Sequence, residues 1–208
     1  LYEVRNHLLF NGGAKVAQMP SPNHGGAQHP SLLVMHFTGS PSTEGAIRTL
    51  TDAHAKSRVS AHLVLSPEGE VTQLLPFNVI GWHAGQSSWH GRSACNNFSI
   101  GIEMVNSGLL GRQANGGYYD RLTRKPVAPE KAMIAKHKNG GGMEPWAIYP
   151  DPQVAAAAAI AKAIVKAYGI TEIVGHDDVA PGRKIDPGPA WPMKDFVTLV
   201  FGAAKQGV

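Results

Sequence analysis

The chain has a single cysteine among its 208 residues, Cys95, so no internal disulfide can form. No run of about 18 apolar residues occurs, which excludes a helical membrane span. Charged residues make up only 16% of the chain, and the net charge of +4 is spread thinly. The one loose basic cluster is Arg121, Arg124 and Lys125, and no helix carries a continuous basic stripe, so a dedicated nucleic-acid binder is not expected. The start, Leu1, lacks the basic end and apolar core of a signal peptide, and a processed or trimmed beginning is expected.

What remains describes one ordinary globular domain over residues 1–208, with 24 glycines and 15 prolines to build loops. Residues 1–30 read as irregular. The continuous apolar run Leu32–Phe37 predicts a buried strand, and Ser40-Pro41 predicts a helix over 41–56. A hairpin over 61–66 and 70–75 turns at Pro67-Glu68-Gly69, and 98–105 is a further buried strand. The stretch 106–148 reads as a long insertion bracketed by Asn115–Gly117 and Asn139–Gly142, with one short helix at 129–137. Asp151-Pro152 caps an Ala-rich helix over 153–168 that stops at Gly169, and a last helix covers about 193–201. Strands alternating with helices imply an α/β fold, a mixed central β-sheet flanked by helices.

The most informative segment is VGHDDVAPGRKIDPGPAW, 174–191. It follows a short strand at 172–175, and its Pro and Gly residues at 181, 182, 187, 188 and 189 make it a fixed loop. That loop supplies an imidazole, His176, and a carboxylate, Asp186, both good zinc ligands. His36, at the end of the apolar run LLVMHF, is the best third ligand. Two histidines, one aspartate and an open position describe a catalytic Zn2+ site, because structural sites more often close all four positions. Alone, His36 is an ordinary hydrogen-bonded core histidine; the downstream loop makes the ligand reading the stronger one. Glu103 stands among Ile, Gly and Met, where a carboxylate is costly unless paired or functional. His62, His90, His24 and His29 read as structural or surface residues.

The motifs HFTGS (36–40), WHAG (82–85), NNFSIGIE (96–103), YPDPQ (149–153) and GHDDVAPGRKIDPGPAW (175–191) resemble, in order and spacing, the zinc-dependent N-acetylmuramoyl-L-alanine amidases of the amidase_2 type. That group is related in fold to peptidoglycan recognition proteins and phage T7 lysozyme. The resemblance implies a groove with zinc at its floor, held by His36, His176 and Asp186. It implies Glu103 as general base and Lys184 as the group that stabilises the oxyanion. His83, in the WHAG motif, is expected to line the substrate cleft, and Arg183 to contact a muramoyl carboxylate. Trp82 and Asn97 join these as expected substrate contacts.

The partner implied is peptidoglycan or a muropeptide, with the protein acting as a monomer. The 106–148 insertion and the basic charge favour polymeric wall, hence a periplasmic, extracellular or phage-lysis setting, over a soluble fragment in the cytoplasm. Trp82, Trp89, Tyr118, Tyr119, Trp146 and Tyr149 are candidates for stacking on sugar rings. The alternative to an enzyme is a non-catalytic peptidoglycan-binding module, although such modules commonly lack part of the triad. A phosphohydrolase built on His176-Asp177 and a cysteine peptidase built on Cys95 have weaker support.

Overall fold

Numbered along the chain, the strands of the central sheet are β1 (Ala17–Gln18), β2 (Leu32–Phe37), β3 (Leu63–Leu65), β4 (Val71–Gln73), β5 (Ser99–Met104) and β6 (Ile173–Gly175). The computed structural model that shows them describes residues 1–114 and 116–202. The six strands lie in the order β6-β2-β5-β3-β4-β1. β6, β2, β5 and β3 run parallel, and β4 turns back antiparallel to β3. The helices are α1 (Thr43–Thr51), α2 (Asp151–Tyr168), α3 (His176–Val179) and α4 (Met193–Phe201).

Side-chain alternation along the middle strands decides which face becomes chemical. Leu33 and Met35 of β2, with Ile100, Ile102 and Met104 of β5, point to one side. There they pack on Ala157, Ile160, Ala161 and Ile164 of α2. Fully burying each such Leu or Ile contributes about 1.5–3 kcal/mol, so this layer dominates the stability. The alternate residues Leu32, Val34 and His36 face the other side, as do Ser99, Gly101 and Glu103. On that side α1 closes over Val64 and Val105 through Ala46 and Leu50. Parity therefore puts His36 and Glu103 on one face, under no helix layer of their own.

α2 ends as its sequence implies: Gly169 takes φ 65, and its N–H donates to the Val165 carbonyl. Its first helical residue is Asp151, with Pro150 rather than Asp151 in the capping position. α1 is shorter than 41–56, because Ser42 is its cap, accepting from the Gly45 N–H at 3.0 Å, and Asp52 ends it. The loop after β6 begins with a helical turn, α3, since its prolines and glycines start only at Pro181.

Two regions differ more from the sequence reading. Residues 1–30 are not irregular: Tyr2–Arg5, Leu8–Asn11 and Ala14–Lys15 form a meander, and His24–Ala27 pairs with Val79–Gly81. Its turns are Asn6-His7, with φ 48 and 64, and Gly12-Gly13, with φ 58 and 87. Asn and Gly favour such positive-φ hairpin corners, a local signal that the short polar strands obscured. The second region is 106–148. The helix expected at 129–137 is a 3-10 turn, Pro129–Lys131, followed by the strand Ala132–Lys136. That strand pairs with Met143–Ala147, and Trp146 Nε1 donates to the Ala135 carbonyl at 3.1 Å. Gly111–Arg112, Tyr118–Tyr119 and Pro126–Val127 form a further small sheet. Asn115, in the first of the bracketing clusters, lies outside the described residues.

Candidate metal centre

Three neighbouring parallel strands deliver the site at their carboxyl ends. His36 pairs in register with Glu103, and Gly175 pairs with Met35, so His176 emerges one step beyond β6, level with His36. The loop then returns Asp186 to the same point, with the Asp177 N–H donating to the Asp186 carbonyl at 2.8 Å. Carboxyl ends of adjacent parallel strands are where open α/β sheets place their ligands.

His36 Nδ1, His176 Nδ1 and Asp186 Oδ2 converge at separations of 2.9, 3.0 and 2.9 Å. All three residues are buried. The outward nitrogens fix which atoms face inward. His176 Nε2 lies 3.1 Å from the Ala84 carbonyl, which only accepts, so Nε2 carries the hydrogen and Nδ1 presents a lone pair. His36 Nε2 lies 3.0 Å from His83 Nδ1, and His83 Nε2 lies 3.3 Å from Ser99 Oγ. Ser99 Oγ in turn donates to the Cys95 carbonyl at 2.6 Å. Because this chain ends on a carbonyl, each member donates outward, and His36 also turns a lone pair inward.

Three inward lone pairs at such distances are a donor set for a cation, and the pKa shifts agree. Burial, reinforced by His176, lowers His36 to about 4 and keeps it a neutral ligand. Burial would raise Asp186, but its contacts with the His176 and His36 rings win and hold it below the usual carboxylate range. His83 is pushed well down by burial, then by His36. Among the described residues this is the one cluster of His, Cys, Asp or Glu able to hold a metal.

A cavity of about 660 Å³ opens over the cluster, lined also by Glu103, Lys184, His83 and Trp82. Glu103 is partly exposed, yet its Oε2 is covered and has no hydrogen-bond partner. Burial, followed by the charge of Asp186, raises its carboxyl well above the ordinary range, with Lys184 opposing. A carboxylate in that condition is primed to take a proton.

Not every expected residue is in that cavity. Arg183 turns away and donates to the carbonyls of Ala84 and Gln86. It lines a different cavity, with Gly85 and Ser87. Asn97 is exposed on the 3-10 turn Cys95–Phe98, outside the cavity. Of the aromatics, Trp146 and Tyr149 are buried at 3% and 4% exposure, and the Tyr149 hydroxyl donates to the Pro187 carbonyl. Trp89, Tyr118 and Tyr119 are partly exposed and do not line this cavity. His62 is a core residue, bonded to Gln28, the Val79 carbonyl and the Gly101 N–H.

Sequence reasoning missed Arg48 of α1 and Leu122, which line the cavity, the latter at 66% exposure. It also missed the work of the 132–147 hairpin. The hairpin's loop sets His137 Nε2 2.9 Å from Asp177 and Lys138 Nζ 2.7 Å from Asp178, while Asn139 donates to the Asp177 carbonyl at 2.8 Å. The insertion thus braces the turn that carries His176.

Residues 26–189 match the sequence profile of the Amidase_2 family, described as N-acetylmuramoyl-L-alanine amidase. The 1,6-anhydro-N-acetylmuramyl-L-alanine amidase AmpD of Enterobacter cloacae is 35% identical, over 97% of this chain and 99% of that protein. The fold is similar to the crystal structure of a Se-Met AmpD derivative, with a TM-score of 0.65 at 29% identity over 95% and 98% of the two chains. It is also similar to the E. coli amidase AmiD in complex with anhydro-N-acetylmuramic acid-L-Ala-D-γ-Glu-L-Lys. There the TM-score is 0.64 at 27% identity, over 97% of this chain and 66% of that one.

Proposed function

The chain belongs to the Amidase_2 family and is an N-acetylmuramoyl-L-alanine amidase, and from that premise we propose that it is a zinc enzyme cutting 1,6-anhydromuropeptides. The observation that carries the zinc reading is the convergence of His36 Nδ1, His176 Nδ1 and Asp186 Oδ2, with both outer imidazole nitrogens committed elsewhere. Imidazole and carboxylate donors of this kind suit zinc. The whole of residues 1–208 acts in this reading as one catalytic domain.

The bond to be broken joins the lactyl carbonyl of N-acetylmuramic acid to the nitrogen of L-alanine. His36, His176 and Asp186 would hold the zinc, which would supply a Lewis acid and lower the pKa of a nearby water to about 7. Glu103, raised and unpaired, takes a proton from the attacking water and passes it to the departing amine. Lys184, lining the same cavity, offsets the negative charge on the tetrahedral oxygen. His83, Ser99 and the Ala84 carbonyl hold the two imidazoles in the tautomers the metal needs. Trp82, lining the same cavity, contacts the substrate in this reading, while Arg183 and Asn97 do not line it.

AmpD is a 1,6-anhydro-N-acetylmuramyl-L-alanine amidase, and the ligand in the AmiD complex carries an anhydro-N-acetylmuramic acid. This favours the anhydromuropeptide over the polymeric wall that the insertion and charge suggested. The insertion braces the metal loop, so it does not by itself point to a larger substrate. Incubating zinc-loaded protein with purified sacculi and, separately, with soluble anhydromuropeptide tests the choice. Stem peptide released much faster from the soluble fragment supports the proposal, and faster release from sacculi overturns it.

A further inference from the structure

The segment Trp82–Gln86 carries no metal ligand, yet the outer nitrogens of both histidine ligands end on two of its successive residues. His36 Nε2 meets His83 Nδ1 at 3.0 Å, and His176 Nε2 meets the Ala84 carbonyl at 3.1 Å. A shift of this one stretch of backbone therefore misaligns both imidazoles together.

A single side-chain oxygen holds two successive N–H groups of the segment. Asn96 Oδ1 accepts from the His83 N–H at 3.1 Å and from the Ala84 N–H at 2.7 Å. From the other side, Arg183 donates to the Ala84 carbonyl at 2.6 Å and to the Gln86 carbonyl at 2.6 Å. Beneath, Gly101 leaves room for the His83 ring: a Cβ there would lie 2.5 Å from its Cγ. Asn96 itself does not line the cavity, and its Oδ1 is bonded to backbone N–H groups rather than to a metal ligand.

We propose that Asn96 is a positioning residue for the metal centre, fixing through the His83–Ala84 backbone the orientation of both histidine ligands. Arg183 is the second clamp on the same segment, acting through the Ala84 oxygen rather than on substrate. The inference rests on the zinc reading above. Groups that orient metal ligands through hydrogen bonds typically change metal affinity by about 10–100-fold when removed.

The test is zinc affinity, measured on metal-free protein by competition with a chromophoric chelator, together with the visible spectrum of the cobalt(II)-substituted protein. Asn96→Ala is expected to weaken zinc by about 10–100-fold and to alter the cobalt bands. Asn96→Asp keeps an oxygen that accepts both N–H groups and is expected to stay within about threefold of the wild type. A residue that merely stabilised the fold would lower the melting temperature without moving metal affinity. Wild-type zinc affinity and an unchanged cobalt spectrum in Asn96→Ala would overturn the proposal, as would an Asn96→Asp variant no better than Asn96→Ala.

If Asn96→Ala fails to fold, Arg183→Met carries the test, since that side chain is exposed. It is expected to weaken zinc by a smaller factor, and unchanged affinity there would overturn the proposal. Wild-type protein that binds no zinc would overturn the zinc reading itself, before any variant is compared.

Discussion

Replacing Glu103 with Gln is expected to do two opposite things, destroying turnover while making the metal-free protein more stable. The carboxyl has a covered Oε2 with no partner, and burial and Asp186 raise its pKa well above the ordinary range. Each unit of such elevation costs the folded state about 1.4 kcal/mol once the pH exceeds both folded and unfolded values. Gln removes the charge but leaves an unpaired amide atom, itself costing about 1–3 kcal/mol. The loss of the buried charge is expected to outweigh the unpaired amide, and each kcal/mol gained raises Tm by about 2–4 °C for a chain of this length.

The sign fixes the pH window. Below the unfolded value, about 4.3, the wild-type carboxyl is protonated in both states and the variant gains nothing. As the pH rises from there through the elevated folded value, wild-type stability falls and the gap opens, then stays constant. Circular-dichroism melts of metal-free wild type and Glu103→Gln from pH 4 to 8 read this directly. Turnover of the zinc-loaded variant should fall by about 10²–10⁴-fold. A variant that melts no higher than wild type at pH 7, or a gap that ignores pH, would refute the reasoning.

Lys184→Met should lower kcat by about 10²–10³-fold with a smaller change in KM, as expected when an oxyanion partner is removed; a pure KM effect in steady-state assays would make it a binding residue. A strong chelator should abolish activity, and added zinc should restore it and raise Tm; activity indifferent to the chelator would defeat the zinc mechanism. Gly101→Ala puts a Cβ 2.5 Å from the His83 ring, so a loss of about 1–3 kcal/mol is expected in denaturant titrations, with weaker zinc binding. Leu122→Ala should raise KM for anhydromuropeptide without changing kcat, given its place at the cavity wall; unchanged KM would remove it from the substrate's path.

The sheet's middle and the cluster of His36, His176 and Asp186 were legible because they are written locally. Leu32–Phe37 and 98–105 are predominantly apolar runs, which mark buried parallel strands, and His36, Ser99 and Glu103 are the polar interruptions in them. The loop carrying His176 and Asp186 announces itself by its prolines and glycines. The remainder depended on partners far away in the chain. The strands of residues 1–30 are two to four residues long, too short for any period, and the edge strand β1 forms only by pairing with β4. At 129–137 a helix was expected, but Trp146 and the rest of Met143–Ala147 draw Ala132–Lys136 into a hairpin. The motif points to Asn97 as a substrate contact, while its neighbour Asn96 bonds the His83 and Ala84 N–H groups; a motif does not say which of two adjacent amides turns inward. The resemblance points Arg183 at a muramoyl carboxylate, and its bonds to the Ala84 and Gln86 carbonyls are to backbone atoms that no sequence pattern displays.

The most direct test of the account is mass spectrometry of the products formed from 1,6-anhydro-N-acetylmuramyl peptide by zinc-loaded protein and by its His176→Ala variant. The account predicts free peptide beginning at L-alanine and free 1,6-anhydro-N-acetylmuramic acid, together heavier than the substrate by one water, from the wild type alone. Intact substrate, cleavage at another bond, or equal cleavage by His176→Ala would contradict it.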